Sequence, residues 1–188
     1  DVIATHSKYA PSQAQWLRPL DGLVDAATVA ALAPKAVELC TFAGTAFCLP
    51  RLIDVRVLWT RADRVVQAPD TWADLVDSEV RFGFPGRESG LFGTFFELVV
   101  AHGGRLFDDD HQPCIAGDVA VHAAETLMTL AARGPGDLPH WHYDQVDTAL
   151  LDGRVDAAAA WPGGWGSIAA SSLPLVPSPY PAGRSRRV

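Results

Sequence analysis

Two tryptophans in a glycine-rich run, Trp161-Pro162-Gly163-Gly164-Trp165-Gly166, are the residues of this chain best suited to gripping a small molecule. An indole presents a flat apolar face on which C–H groups can stack. Glycine lets a ligand approach the backbone and leaves helix N–H groups open to it. The competing reading makes one or both tryptophans ordinary core residues. A second pair is Asp54 and Arg56, two positions apart on a strand candidate and so on one face. A carboxylate beside a guanidinium suits hydrogen bonding to vicinal hydroxyls. The same pair also fits a structural ion pair in a chain crossover.

Covalent chemistry has weaker candidates. Gly86-Arg87-Glu88-Ser89-Gly90 lies between a strand and a helix but misses the Gly-x-Ser-x-Gly elbow by one position. It reads as a loop into a helix cap. A hydrolase using Ser89 with His102 or His111 is the rival from another class. His140-x-His142 near Asp144 could offer two imidazoles and a carboxylate to a metal, yet Pro139, Trp141 and Tyr143 fit a packed loop. Asp108-Asp109-Asp110 lacks the glycine and distal glutamate of a calcium loop and reads as an acidic turn. His102 and His122 read as surface residues of helices. Nucleotide-binding glycine patterns are absent. No catalytic residue, metal or cofactor is expected.

These residues need a frame. Residues 1–5 read as a short buried strand, and Tyr9–Leu20 as a helix with Ala14, Trp16 and Leu17 inward. Leu20–Asp25 looks like a turn into a further short helix. Thr45–Leu49 and Val55–Thr60 are strand candidates separated by Pro50. From Ala62 helices alternate with short apolar strands. Thr71-Trp72-Ala73-Asp74 resembles a capping box, and Val80–Phe84 is a short strand. Ser89 is placed to cap the helix Leu91–Ala101, which is apolar nearly all round and so predicted deeply buried. Gly103 can end it in the left-handed conformation. Asp118 can cap a long helix carrying Val121, Ala124, Leu127, Met128 and Ala131 on one face. Asp144 can cap another, with Val146, Ala149 and Leu150 inward. Val155–Trp161 reads as a buried strand of small residues, and Leu173–Pro181 as extended. The pattern predicts an α/β fold.

Composition narrows the function classes. The 188 residues are 48% hydrophobic and 20% charged, in the range of a soluble globular protein with a sizeable core. A net charge of −7 argues against nucleic acid, which demands clustered Lys and Arg. The one basic run, Arg184-Ser185-Arg186-Arg187, is terminal. No stretch approaches the ~20 apolar residues of a membrane helix. Both ends begin and stop as if cut through an element, so further sequence is expected on each side. Cys40 and Cys48 flank Gly44 symmetrically, and a hairpin there would place them across from each other, either disulfide-bonded or as two free thiols.

Six motifs in order resemble the family 1 extracellular solute-binding proteins of ABC sugar importers. Residues 1–6 followed by Trp16-Leu17-Arg18-Pro19-Leu20-Asp21 look like that family's ligand loop and helix passage. Phe47-Cys48-Leu49-Pro50 through Val57-Leu58-Trp59-Thr60 looks like its crossover. Pro69–Leu75, Ala101–Asp108, Leu150–Ala158 and Trp161–Gly166 follow with its helix starts, its Gly-Gly turn and its aromatic loop. The resemblance implies a two-lobe periplasmic-binding-protein-like fold of type II. The first lobe would be incomplete (1–50), with a hinge crossover at 51–60, most of the second lobe at 61–175 and a return crossover at 176–188. It also implies that the lobes close over a sugar or sugar-like polyol. By position, ligand contacts would come from Thr5, His6, Ser7, Lys8 and Tyr9; from Asp54 and Arg56; from Glu88, Ser89 and Phe92; and from Trp161, Gly163, Gly164 and Trp165. Trp161 sits two positions before the family's usual tryptophan, so either indole can be the platform. The implied protein is monomeric, extracytoplasmic and partnered with the transmembrane subunits of an ABC permease. A degenerate scaffold that has lost its ligand is the remaining alternative.

Overall fold

The computed structural model describes residues 2–6, 9–108, 110, 112–115 and 117–183, without the side chains of Pro162 and Trp165. The chain divides into two compact units, residues 1–54 and 55–188.

The first unit is built from short elements. Val2–His6 is exposed and forms no strand, since no described residue pairs with its backbone in a ladder. The predicted helix at Tyr9–Leu20 is shorter than expected: α1 spans Ala10–Gln13 and a 3-10 turn covers Ala14–Trp16. Trp16 is 76% exposed rather than inward. Helix α2 (Ala26–Ala30) is capped by Asp25, whose carboxylate accepts from the Thr28 N–H at 2.8 Å. Helix α3 (Pro34–Glu38) opens on proline, whose missing N–H costs nothing at a helix start. Strands β1 (Thr41–Phe42) and β2 (Thr45–Ala46) form a hairpin through Ala43 (φ 49°) and Gly44 (φ 77°). Two successive positive-φ residues make a type I′ turn, whose twist matches the strands. The hairpin is therefore centred between Ala43 and Gly44. The Phe47 N–H donates to the Cys40 carbonyl, so Cys40 faces Phe47 rather than Cys48, and both thiols are free.

The second unit carries a four-stranded mixed sheet. Strand β3 (Val57–Arg61) runs down its middle. Helix α4 (Trp72–Asp77) starts with the predicted capping box: the Asp74 N–H donates to Thr71 Oγ1 at 3.0 Å, and the Thr71 N–H to Asp74 Oδ2 at 2.9 Å. Strand β4 (Phe82–Gly83) leads to α5 (Glu88–Ala101), then α6 (Asp118–Arg133), α7 (Tyr143–Leu151), β5 (Ala157–Ala160), α8 (Trp165–Ala170) and β6 (Leu175–Ser178). The sheet order is β4-β5-β3-β6, with β4 and β5 parallel and β3 antiparallel to both neighbours. All four alanines of β5 are buried, and α7 packs on that strand. Pro177 sits in β6, an edge strand, where its missing donor breaks no central ladder. The core gathers Trp72, Trp141, Phe82, Phe84, Leu58 and Leu98, each at most 2% exposed.

Several local expectations are corrected. Ser89 is the second residue of α5, which starts one residue earlier with Arg87 as its cap. That helix is not buried all round: Phe92 is 54% and Phe96 40% exposed, while Leu98 and Val99 face the core. Helix α6 buries Ala123, Thr126, Leu127 and Leu130, leaving Val121 and Met128 outside. Both faces have helical spacing, and packing against α4, α5 and β4 selects between them. The caps of α6 and α7 are Gly117 and His142, one and two residues before the aspartates predicted to cap them. Asp54 and Arg56 lie ahead of β3 rather than on it; Asp54 is exposed and Arg56 buried, so the expected shared face does not form.

Candidate functional site

Strand β5 ends at Ala160, and the next residue is Trp161. Here the carboxyl ends of β4 and β5, which run in parallel, meet the start of α5 and the start of α7. Loops at the carboxyl ends of parallel strands are where α/β sheets place ligands.

Arg56 occupies the centre of this region. Its guanidinium donates from one terminal nitrogen to Thr94 Oγ1 and to Glu97 Oε2, each at 2.9 Å. Its side chain is 3% exposed. The guanidinium carbon lies 5.2 Å from the centre of the Trp161 ring and 5.9 Å from that of Tyr143, within cation–π reach of both. The two rings contact each other edge-on, with centroids 6.5 Å apart. Thr94 is fully buried and donates onward to the Gly90 carbonyl at 3.1 Å. Room for the guanidinium comes from Gly93, where a Cβ would stand 3.3 Å from an Arg56 nitrogen. The buried Tyr180 hydroxyl has no well-aligned hydrogen bond. Burial pushes the Glu97 carboxyl up, and the Arg56 charge opposes that in part.

The rim is polar. Glu88 opens α5 with φ +55°, a strained conformation for a residue with a side chain. Its carboxylate lies 3.8 Å from His142 Nε2 and 3.5 Å from Arg87. The His142 ring packs edge-on against Tyr143 at 4.5 Å. Beneath the glycine turn, a Cβ on Gly164 would stand 3.1 Å from Asp147 Oδ2. Burial, with help from Asp144, raises the Asp147 carboxyl above its ordinary range. An aromatic pair backed by a fixed cation, with exposed Gly163 and a carboxylate–imidazole pair beside it, can stack a ring and hydrogen-bond its substituents.

The residues predicted from sequence are only partly brought together. Arg56, Glu88 and Trp161 belong to this cluster or its rim, and Gly163 and Gly164 form the turn after Trp161. Phe92 lines an apolar depression of about 390 Å³ with Glu88, Leu91, Phe95, Ala124 and Leu127; neither Trp161 nor Tyr143 lines it. Ser89 is exposed. His6, exposed, contacts Tyr9 edge-on at 6.3 Å within the first unit, where Asp54 also lies. Ser7 and Lys8 lie outside the described residues, as does the side chain of Trp165, whose backbone opens α8. The rival dyad of Ser89 with His102 fails on distance. Thirteen positions along one helix place them ~20 Å apart, and His102 Nδ1 is held by the Leu98 carbonyl at 2.8 Å. His111, the other partner considered, lies outside the described residues.

Thr94, Glu97 and Tyr143 were not picked out as site residues by sequence, and His142 was considered only with His140 as a metal ligand. Glu97 carried a usable signal, as the only charged residue between Leu91 and Ala101. A lone carboxylate in an apolar helix requires a buried partner.

The chain is similar to known proteins. A family model described as bacterial extracellular solute-binding protein matches residues 1–183. Among solved structures, maltose-bound MalE3 of T. maritima superposes with a TM-score of 0.82 at 22% identity, over 97% of this chain and 51% of that one. An ABC transporter solute-binding protein from Agrobacterium radiobacter, in complex with ribitol, gives 0.80 at 17% identity, over 94% and 51%. The GacH receptor of Streptomyces glaucescens, solved unliganded and with acarbose, gives 0.73 at 18%, over 96% and 52%. The chain thus spans about half the length of the structures it matches, and the likeness shows that it shares their fold.

Proposed function

The chain belongs to the bacterial extracellular solute-binding protein family, and from that premise we propose that it acts in the substrate-binding component of an ABC importer, taking a sugar or sugar-like polyol. The observation that carries the reading is the Trp161–Tyr143 pair at the end of β5, backed by Arg56 and bordered by exposed glycine. A pyranose or an extended polyol lays its C–H groups on the indole and turns its hydroxyls toward Glu88, His142 and backbone groups of the Gly163-Gly164 turn. The three ligands named for the similar structures, maltose, ribitol and acarbose, are all rich in hydroxyls, which supports the same class.

The protein works by capture and carries out no covalent chemistry. Residues 51–60 serve as a hinge crossover, 61–175 as most of a lobe and 176–188, of which 184–188 lie outside the described residues, as a return crossover, with 1–50 as part of the other lobe. Ligand contacts to both lobes favour a closed state by population shift, and the permease subunits read that state. It functions outside the cytoplasm as a monomer, in a periplasm or lipid-anchored at the surface; among the described residues no helix is long and apolar enough to cross a membrane.

The test is a tryptophan-fluorescence titration of the full-length protein against mono-, di- and trisaccharides and polyols, with Trp161→Ala and Trp165→Ala alongside. A saturable response to one class, weakened at least about tenfold in Trp161→Ala (about 1.4 kcal/mol), is expected. Silence across the panel from a folded protein sinks the reading and leaves a scaffold that has lost its ligand.

A further inference from the structure

We propose that Arg56 is a positioning residue, never touched by ligand, whose guanidinium aims the Trp161 indole. The proposal deepens the platform reading above and rests on it. An arginine reserved for ligand hydroxyls would present its nitrogens outward. This one is sealed, with 3% of its side chain exposed, and its hydrogen bonds go to Thr94 and Glu97 of α5. It packs against Tyr143 at the start of α7 and Trp161 after β5, so one planar group ties the middle of α5 to the start of α7 and the end of β5.

Stability alone does not account for it. The Arg56 Nε has no hydrogen-bond partner despite its burial, and an unmade bond of that kind costs free energy. An apolar residue of similar volume opposite a leucine is often as stable as a buried ion pair, or more so. What such a replacement lacks is a flat cation fixed by two oxygens. Trp161 is only half-buried, and Gly163 and Gly164 in the turn after it carry no side chain to wedge the indole. Held against the guanidinium, the ring loses rotamer freedom before ligand arrives, and that ordering cost is removed from binding. Lysine cannot substitute. Its ammonium can meet the oxygen pair, but it lacks the planar guanidinium that lies against the two rings at the same time.

The test compares Arg56→Lys and the paired variant Arg56→Met with Glu97→Leu, which leaves no lone buried charge, in the full-length protein. The Trp161 signal is isolated by subtracting the same proteins carrying Trp161→Phe, then read by acrylamide quenching without ligand and by titration with maltose and with ribitol. Urea unfolding is run in parallel. The proposal expects the paired variant to keep its unfolding midpoint while Trp161 is quenched at least about twofold more readily, and whichever sugar binds the parent to bind about tenfold more weakly. Arg56→Lys shifts both in the same direction. Unchanged Trp161 quenching in the paired variant overturns the proposal, as does full affinity in that variant. If the parent binds neither probe, the transport reading loses its support, and ligand-free quenching still decides the role of Arg56.

Discussion

The chain enters β5 beside Asp156 and leaves it at Trp161, and the two ends use arginine in opposite ways. At the entry, Asp156 accepts from Arg81 Nε at 2.9 Å, from an Arg81 terminal nitrogen at 2.7 Å, from the Arg81 backbone N–H at 3.1 Å and from Arg64 at 3.1 Å. Burial alone would raise this carboxyl, but the Arg81 and Arg64 hydrogen bonds hold it down at about 2. Every lone pair of the carboxylate has work within the protein. At the exit, Glu97 makes one hydrogen bond to Arg56, burial raises it, and the guanidinium spends its faces on two aromatic rings. The first arrangement locks β4 to β5. The second gives up part of its pairing to hold a surface on which something else can rest.

Removing Asp156 should have the largest effect. Asp156→Ala leaves Arg81 and Arg64 without their carboxylate beside a nearly buried strand end, and a loss of about 2–4 kcal/mol is expected. Urea denaturation measures it. The comparison breaks if the loss is below that of Arg56→Met paired with Glu97→Leu.

Acid titration separates the two ends by sign. Asp156 has a folded pKa of about 2 against an ordinary 3.8. Its contribution is complete above the ordinary value and is lost as pH falls from about 4 toward 2. Glu97 is raised above its ordinary 4.5, so the folded state keeps that proton longer. Stability therefore falls as pH rises through the window just above 4.5. Unfolding followed from pH 2 to 7 should show Asp156→Asn flattening the acid limb and Glu97→Gln removing the later fall. If Glu97→Gln instead flattens the acid limb, the exit pair is an ordinary salt bridge and the contrast is lost.

What the sequence made legible was local. The Thr71–Asp74 capping box, the small-residue strand before Trp161 and the left-handed glycine after α5 each depend on neighbours within a few positions, and each appears in the structure. Arg56 was noticed for its type but paired with the wrong neighbour, because its partner Glu97 lies 41 residues on. The faces of α5 and α6 were misread for a related reason. Each helix carries more apolar residues than one face can hold, and only the packed neighbours decide that Leu98 and Leu127 go in while Phe92 and Met128 stay out. Tyr143 gave no sign at all, since nothing near it in sequence mentions Arg56.

The smallest expected effect comes from Gly93→Ala, and it examines how tightly the exit end is fitted. Alanine in place of a helical glycine favours the helix by about 0.5–1 kcal/mol. Its methyl carbon would stand 3.3 Å from an Arg56 nitrogen, closer than ordinary contact, so the guanidinium must yield by a few tenths of an ångström. These terms oppose each other, and the net stability change should stay within about 1 kcal/mol. The Trp161 quenching, measured as for the Arg56 variants, should rise by less than in the paired variant, with sugar affinity down two- to threefold. A Gly93→Ala protein that gains the full helix stabilisation while Trp161 does not respond would mean that the guanidinium has slack. The indole would then take its aim from the Pro162–Gly164 turn, and the two ends of β5 would differ in their neighbours without differing in what their arginines do.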